Sequence, residues 1–154
     1  MLGKGRGDRG SWWRRTPAPP PPVLRFRVER ERRAVARLND SVERDLRAQT
    51  PQPALRALQI TLDELLTNVI LHAEQAAGPI EIEITRERDA LAATISYVAS
   101  EFDPTAWRPP RREVTIAAAR IGGHGIELVR SLMDEFRYQH DGGRNIVTVR
   151  KRCR

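Results

Sequence analysis

Residues 62–73 read LDELLTNVILHA, and this stretch decides which fold the rest of the chain can adopt. On a helix, Glu64, Asn68 and His72 fall at i, i+4 and i+8, which places the three side chains along one stripe. An apolar stripe lies next to it and consists of Leu58, Leu62, Leu65 and Val69. We therefore expect a helix whose apolar face packs into a core while its adjoining edge carries an acid, a carboxamide and an imidazole.

Residues 121–129 read IGGHGIELV, so a glycine-rich turn runs directly into a helical pattern. A helix that follows glycines presents unpaired backbone N–H groups to an anion, and glycine lets a phosphate approach the backbone closely. The sequence has no GxxxxGKS or GxxxxGKT motif, and its two lysines, Lys4 and Lys151, lie near the ends of the chain. A phosphate site here would therefore use backbone donors, arginine and a metal ion.

The polar stripe of the central helix offers the chemistry that such a site needs. Asn68 supplies a neutral oxygen for a hard cation such as Mg²⁺. Glu64, one helical turn away, can orient or deprotonate an attacking hydroxyl or water. Taken singly, these residues are more typical of a solvated helix edge, and His72 and His124 are more typical of packing or capping. The hypothesis of a phosphate site depends on the two stretches occurring together.

Composition favours one globular domain in a chain of 154 residues, of which 40% are hydrophobic. The net charge of +7 is concentrated at the two ends: residues 1–22 carry +4 and residues 150–154 another +4, which leaves −1 for residues 23–149. Direct nucleic-acid binding by the fold itself is therefore not expected. The single cysteine, Cys153, fits a reducing compartment, and no apolar run reaches the length of a membrane span. These features predict a cytoplasmic protein without a membrane segment.

The order of the predicted elements indicates the fold class. Residues 1–22 are rich in arginine, glycine and proline and are predicted to be a disordered tail; residues 23–152 form the predicted domain. Alternation and helical spacing predict a strand at 23–28, a helix with Val35, Leu38, Val42 and Leu46, the central helix at about 54–76, and a hairpin of strands around Ile82 and Ala93. They further predict a loop at 100–112, a short helix or lid at 115–120, a helix with Ile126, Val129, Leu132, Met133 and Phe136, and a last hairpin at 137–140 and 145–149. We expect an α/β (α+β) two-layer sandwich, with a mixed or antiparallel sheet and helices on one face.

The two stretches together resemble a known family. The segment ELLTNVILHA resembles the asparagine-containing box of the GHKL ATPase superfamily, and GGHGIELVRSLMDEFRY followed by GGRNIVTVRK resembles its glycine-rich box and closing hairpin. Within the superfamily the resemblance is closest to stand-alone anti-sigma-factor serine/threonine kinases, to which Phe102-Asp103-Pro104 is also similar. The resemblance covers residues 23–152, and it implies a Bergerat-type sandwich, a histidine kinase-like ATPase fold with a mixed sheet and ATP between the central helix and the lid.

The resemblance also implies roles for individual residues. Glu64 matches the catalytic base of the family, and Asn68 matches its Mg²⁺ ligand. The ATP-binding positions that it implies are Asn68, His72, Asp103, Gly122, Gly123, His124, Gly125 and Ile126. Members of this subgroup phosphorylate a serine of a STAS-type anti-sigma antagonist with ATP and Mg²⁺, hold a sigma factor inactive, and form homodimers.

The sequence departs from the family at the position that binds adenine. The family has an Asp-x-Gly box before Phe-Asp-Pro, whereas this chain has Tyr97 and Ala99 at the corresponding positions. A hydrogen bond to a charged group contributes about 1.5–3 kcal/mol, so its loss would weaken binding about tenfold to a hundredfold or more. Asp103 or Glu101 could compensate for this loss.

Several functions remain open at this point. The first is a serine/threonine kinase in a partner-switching system, and the second is a catalytically silent protein-binding switch with weak or no ATP binding. A nucleic-acid-binding protein that uses its basic tails ranks third. A histidine-kinase catalytic domain is a further possibility within the superfamily, although no helix with a phosphorylatable histidine is recognisable.

Overall fold

The computed structural model describes residues 23–109 and 124–153. The chain forms, in order, β1 (Val23–Val28), α1 (Arg32–Leu46), a 3₁₀ turn (Arg47–Gln49), α2 (Gln52–His72), β2 (Ala77–Arg86), β3 (Ala90–Val98), α3 (Gly125–Leu132), β4 (Glu135–Asp141) and β5 (Arg144–Arg152). The predicted tail at 1–22, the predicted short helix or lid at 115–120, and Gly122 and Gly123 lie outside the described residues.

The five strands form one sheet in the order β1-β2-β3-β5-β4, and every pairing among them is antiparallel. Of the two sheet types that we considered, mixed or antiparallel, the described strands form the antiparallel one. Both predicted hairpins are present, because β2 pairs with β3 and β4 pairs with β5. The strand predicted at 23–28 is also confirmed, as the edge strand β1.

The sheet is buried on one face, where the helices pack. The isoleucines of β2 at positions 80, 82 and 84 are at most 1% exposed, whereas Glu81 and Glu83, which alternate with them, are exposed. The predicted inward positions of α1 are buried, and so are Leu58, Leu62, Leu65 and Val69 of α2. These helices and the sheet form the predicted two-layer α+β sandwich, in which α2 presents its apolar stripe to the core.

The predicted bounds of the central helix, 54–76, are wrong at both ends. The helix begins at Gln52, because Pro51 has the extended ψ of a cap and Pro53 occupies an early position that needs no N–H donor. It ends at His72, because Ala73 is extended and Gln75 adopts a φ of 52°. The strand β2 then begins at Ala77, before the glycine and proline that we took as the helix stop.

The predicted third helix is also too long, because Phe136 belongs to β4 rather than to α3. Met133 is extended, with φ −97° and ψ 145°, and the N–H of Asp134 donates to the carbonyl of Arg150 at 2.9 Å. The chain therefore makes its first bond to the sheet two residues after the helix ends, and β4 begins at the next residue. Phe136 still packs against the core, which explains why its spacing matched the helical pattern.

Candidate functional site

A pocket of about 330 Å³ lies between the C-terminal half of α2 and the segment that follows β3. On the α2 side it is lined by Asn68, Val69 and His72, and on the other side by Tyr97, Ser100, Glu101 and Phe102. Asn68 is half-buried and His72 is exposed. The polar stripe of α2 therefore lines the pocket from its inner part, at Asn68, to its rim, at His72. Phe102 is 40% exposed at the opposite rim.

Glu64 lies one helical turn before Asn68 and contacts the first residue of α3. A β-carbon placed on Gly125 would collide with Glu64 Oε2 and would lie 3.3 Å from its Cδ. Only a glycine therefore allows the carboxylate to reach the backbone at this helix start. The positive end of the helix dipole stabilises a carboxylate there. The structure thus brings the two stretches together: the carboxylate of the central helix touches the helix that follows the glycine-rich turn.

The other described residues of the predicted site, His124, Ile126 and Asp103, do not line this pocket. His124 is the N-cap residue of α3, is exposed, and makes no side-chain capping bond. Ile126 is 7% exposed and lies in the first turn of α3. Asp103 is not among the residues that line the pocket, because its Oδ1 accepts hydrogen bonds from the N–H and the hydroxyl of Thr105 at 2.9 and 2.6 Å. That carboxylate stabilises its own turn.

Tyr97 lies at the inner end of the pocket and is only 3% exposed. It occupies an inward position of β3, on the same face as Ile95 and Ala93. Burial raises the pKa of its hydroxyl to about 12, the nearby Tyr138 acts in the same direction, and Arg30 opposes them. At neutral pH the residue is therefore a neutral phenol. Ala99, the second departure from the family pattern, is 8% exposed.

Asn145 is a buried polar residue that our sequence analysis did not select, and it holds the far wall of the pocket. It is fully buried in β5, directly opposite Tyr97 in the strand register. Its Oδ1 accepts from the Tyr138 hydroxyl at 2.6 Å and from the Phe102 N–H at 3.2 Å. Its Nδ2 donates to the carbonyls of Ser100 at 3.0 Å and of Ala99 at 3.4 Å. The alternation of Asn145 with buried Val147 and Val149 is the sequence signal that could have identified it.

Two arginines connect the segments around the pocket. Arg30, just after β1, donates to the carbonyls of Gly78 at 2.8 Å, Val98 at 3.0 Å and Ala77 at 3.2 Å. Arg130 of α3 donates to the carbonyl of Thr105 at 3.1 Å and pairs with Glu127 at 2.7 Å. The first arginine fixes the strand ends beside Tyr97, and the second joins α3 to the segment that follows Phe102. Neither role was visible from residue spacing.

The comparison with known proteins identifies the family. The family model described as "Histidine kinase-like ATPase domain" matches residues 25–151. The chain belongs to this family. The GHKL resemblance inferred from the asparagine and glycine boxes is thereby confirmed, and proteins named as serine/threonine or serine protein kinases are among its relatives.

Two curated relatives and one solved structure illustrate the similarity. The serine/threonine-protein kinase BtrW of Bordetella bronchiseptica is 31% identical over 94 residues, which are 60% of this chain and 66% of that protein. The serine-protein kinase RsbW of Listeria monocytogenes is 28% identical over 103 residues, which are 63% of this chain and 66% of that protein. The chain thus spans just under two thirds of each relative. The crystal structure of the RsbU and RsbW domains of a Mycobacterium tuberculosis protein matches this chain with a TM-score of 0.61 and 14% sequence identity. The match covers 86% of this chain and 32% of that one, and it supports the fold.

The described helices also bear on membrane association. None of the helices within residues 23–109 and 124–153 is long and apolar enough to cross a membrane.

Proposed function

We propose that this protein is an ATP- and Mg²⁺-dependent serine/threonine protein kinase of the anti-sigma-factor type, acting in a partner-switching system. The observation that carries the proposal is the convergence of Glu64, Asn68 and Gly125: the acid touches the start of α3, and the carboxamide lines the pocket one turn further along α2. A scaffold that only binds proteins has no evident need for this arrangement. The named kinase activity of relatives at 28–31% identity supports the same conclusion.

In this proposal Glu64 acts as the general base. Its carboxylate accepts the proton of the substrate serine hydroxyl while that oxygen attacks the γ-phosphoryl group of ATP and ADP leaves. The backbone N–H groups at the start of α3, beginning at Gly125, provide donors for phosphate oxygens. The pocket between Asn68 and Tyr97 takes the nucleoside. Catalysis of this kind depends on positioning and electrostatic stabilisation more than on covalent chemistry by the protein.

The donors present at the site fit a bound Mg²⁺ ion. Asn68 lines the pocket with a carboxamide, a neutral oxygen donor of the kind that magnesium accepts alongside waters and phosphate oxygens. When bound, the ion would neutralise the charge that develops on the transferred phosphoryl group. Asn68 would hold it, and Glu64 one turn away would remain available as the base.

The partners and the setting follow from the same family similarity. We propose that the substrate is a serine of a STAS-type anti-sigma antagonist, that the second partner is a sigma factor held inactive, and that the protein acts as a homodimer in the cytoplasm. We also propose that residues 23–152 form the catalytic domain and that residues 1–22 are a basic tail. Direct nucleic-acid binding is not part of the proposal, because the domain without its tails is close to neutral.

A phosphorylation assay with a matched control tests the kinase proposal. The full chain is incubated with ATP, Mg²⁺ and each STAS-domain protein of the source organism, and the mass of every partner is measured. We expect one partner to gain a phosphoryl group, and Glu64→Ala to lower the rate about 10²–10⁴-fold, the usual contribution of a general base. Asp63→Ala is the control, because this exposed neighbour carries the same charge on another side of the helix. Equal losses in both variants, or no phosphorylation by the wild type, would refute the proposal.

A second candidate function is supported by Tyr97. The buried phenol stands where the family has an acceptor carboxylate, and it favours a catalytically silent switch that binds proteins but binds ATP weakly or not at all. Calorimetry with ATP and ADP, each with and without Mg²⁺, separates the two candidates. Micromolar binding that requires Mg²⁺ supports the kinase, whereas no binding at millimolar nucleotide supports the silent switch.

A further inference from the structure

The inner end of the pocket contains a polar group that is not satisfied by the protein. As a whole residue Tyr97 is only 3% exposed, and no group within residues 23–109 and 124–153 forms a hydrogen bond with its hydroxyl. The hydroxyl itself is not fully buried, because it is open to the cavity that Tyr97 lines. A polar atom that reaches a cavity without a protein partner bonds there to water or to a ligand. A phenol that lines a cavity and lacks a protein partner points to a partner that arrives with a ligand.

The polar groups around this hydroxyl include no buried carboxylate. The two carboxylates that line the pocket in the described residues, Glu74 and Glu101, are both exposed at its rim. Asn68 offers a carboxamide, which both donates and accepts hydrogen bonds. Ser100 is already engaged, because its hydroxyl donates to Gln75 at 3.2 Å. Arg30 is near enough to lower the pKa of the Tyr97 phenol, and its buried Nη1 has no hydrogen-bond partner within the described residues, but Arg30 does not line the pocket. Among the described residues that line the pocket, Tyr97 is the one buried residue with a polar side chain.

A hydroxyl and a carboxylate select different bases. An ionised carboxylate only accepts hydrogen bonds, so it favours the 6-amino group of adenine and repels the 6-oxo group of guanine. A phenol accepts a hydrogen bond from an amino group or donates one to a carbonyl oxygen. Burial keeps the Tyr97 hydroxyl protonated at neutral pH, so it retains both functions. A site whose polar group is matched to one base can discriminate against the other by about 10⁴–10⁵-fold. A site whose polar group suits both adenine and guanine loses that discrimination.

The position of the phenol is well defined by its surroundings. Tyr97 lies opposite Asn145 in the register between β3 and β5, and Asn145 fixes the next segment of the chain through the carbonyls of Ala99 and Ser100. Arg30 holds the carbonyl of Val98, the residue that follows the tyrosine. The backbone on both sides of the hydroxyl is thus anchored, which is what a group that determines specificity requires.

We propose that Tyr97 makes this pocket a purine site that does not distinguish a 6-amino from a 6-oxo base, so that ATP and GTP both serve as ligands. The inference rests on the proposed function, since it assigns the base preference of the same nucleotide site. It goes beyond the family relationship, because it depends on a residue in which this chain departs from the family pattern. Tyr97 acts here by contact with the base and takes no part in phosphoryl transfer.

Calorimetry with ATP and GTP in the presence of Mg²⁺ tests the inference on the full chain. We expect the two dissociation constants of the wild type to lie within about tenfold of each other, because the hydroxyl suits both bases. Tyr97→Asp should restore a preference for ATP of at least about a hundredfold, mainly by weakening GTP. Tyr97→Phe, which keeps the ring and removes only the hydroxyl, should weaken both nucleotides by a similar factor of up to about tenfold.

The outcomes separate this inference from the proposed function. A wild type that prefers ATP more than a hundredfold overturns the inference, and so does a Tyr97→Asp variant that folds and leaves the ATP-to-GTP ratio unchanged. A wild type that binds neither nucleotide, beside a Tyr97→Asp variant that binds ATP, shows that the ring blocks the site, and this also overturns the inference. If neither protein binds any nucleotide, the proposed function itself fails. If Tyr97→Asp does not fold, the wild-type ratio and Tyr97→Phe still decide the matter.

Discussion

The buried side chain of Asn145 should be one of the most sensitive positions in this fold. Asn145→Ala removes four hydrogen bonds, of which three are shorter than 3.3 Å and one, to the carbonyl of Ala99, is 3.4 Å long. A typical intramolecular hydrogen bond contributes about 1 kcal/mol net, so the three shorter bonds alone correspond to about 3 kcal/mol. Partners left unpaired away from water increase the cost, which brings the expected loss to about 3–5 kcal/mol. A domain of this size has a total stability of about 5–15 kcal/mol.

Urea unfolding followed by circular dichroism measures this loss. Tyr138→Phe removes a single one of the four bonds and should cost only about 1 kcal/mol. Asn145→Asp keeps the shape and both acceptor functions but turns a carboxylate toward two carbonyls, so it should be nearly as destabilising as the alanine variant. Thr148→Val, on the opposite face of the same strand, is the matched control: it keeps the β-branched shape, loses only the 3.5 Å contact with the Thr94 hydroxyl, and should cost less than about 1 kcal/mol. A loss below about 1 kcal/mol for Asn145→Ala would refute the conclusion that this residue holds the wall of the pocket.

Three further predictions follow from the contacts of the site. Gly125→Ala should abolish most of the phosphorylation activity, because the new methyl group displaces the carboxylate of Glu64 from the start of α3. Its cost in stability should stay below about 1 kcal/mol, because that carboxylate is the end of a flexible side chain. Wild-type phosphorylation by this variant would contradict the role of the contact. Arg30→Met should lower the free energy of unfolding by about 1–3 kcal/mol, since three backbone carbonyls lose their donor, whereas exposed Arg33→Met should change it by less than about 0.5 kcal/mol. The pKa of the Tyr97 hydroxyl is raised from near 10 in the unfolded chain to about 12 in the folded protein. The free energy of unfolding should therefore decline as the pH rises from 10 toward 12, by up to about 2–3 kcal/mol from this residue. Tyr97→Phe should remove that part of the alkaline decline, and an unchanged pH profile of stability would disprove the shift.

The parts of the fold that the sequence predicted well are those governed by long, regular hydrophobic patterns. Helix α1 has its buried residues where the spacing of Val35, Leu38 and Val42 placed them, and the strands β2, β3 and β5 alternate over most of their length. Burial of one face is a collective effect over many residues, so a single misleading position does not alter it. The same holds for α2, whose polar stripe and apolar stripe were both recognised from the sequence.

The ends of the helices were predicted less well, because one or two local contacts determine them. Helix α2 ends at His72 because Ala73 is extended and Gln75 has a positive φ. The spacing of the apolar residues does not predict this turn. Helix α3 stops at Leu132 because the following backbone pairs with β5, which is a contact between residues distant in sequence. Phe136 satisfied the helical spacing and the strand equally well, and long-range pairing decided between them.

The sequence reveals the two halves of the candidate site to different extents, for a physical reason. The half that we propose for phosphate consists of side chains along one stripe of α2 and of Gly125, the first residue of α3, and both are local patterns. The base end is held by Asn145, which acts through bonds to Ser100 and Phe102 more than 40 residues earlier in the sequence. Asp103 illustrates the converse: it lies in the expected tripeptide, but its carboxylate is engaged by Thr105, two residues further on.

The two ends of the site are therefore supported by different elements, and this separates recognition from chemistry. Tyr97 and Asn145, at the end that we propose for the nucleobase, are register partners on the neighbouring strands β3 and β5, whereas Glu64 contacts Gly125 where α2 packs against α3. Within residues 23–109 and 124–153, no hydrogen bond or ion pair joins the Glu64 carboxylate to the sheet residues around Tyr97. Under the proposed function, a change at Tyr97 should therefore alter which nucleotide binds without displacing Glu64. For this reason binding constants and phosphorylation rates, measured on the same variants, report on the two ends independently.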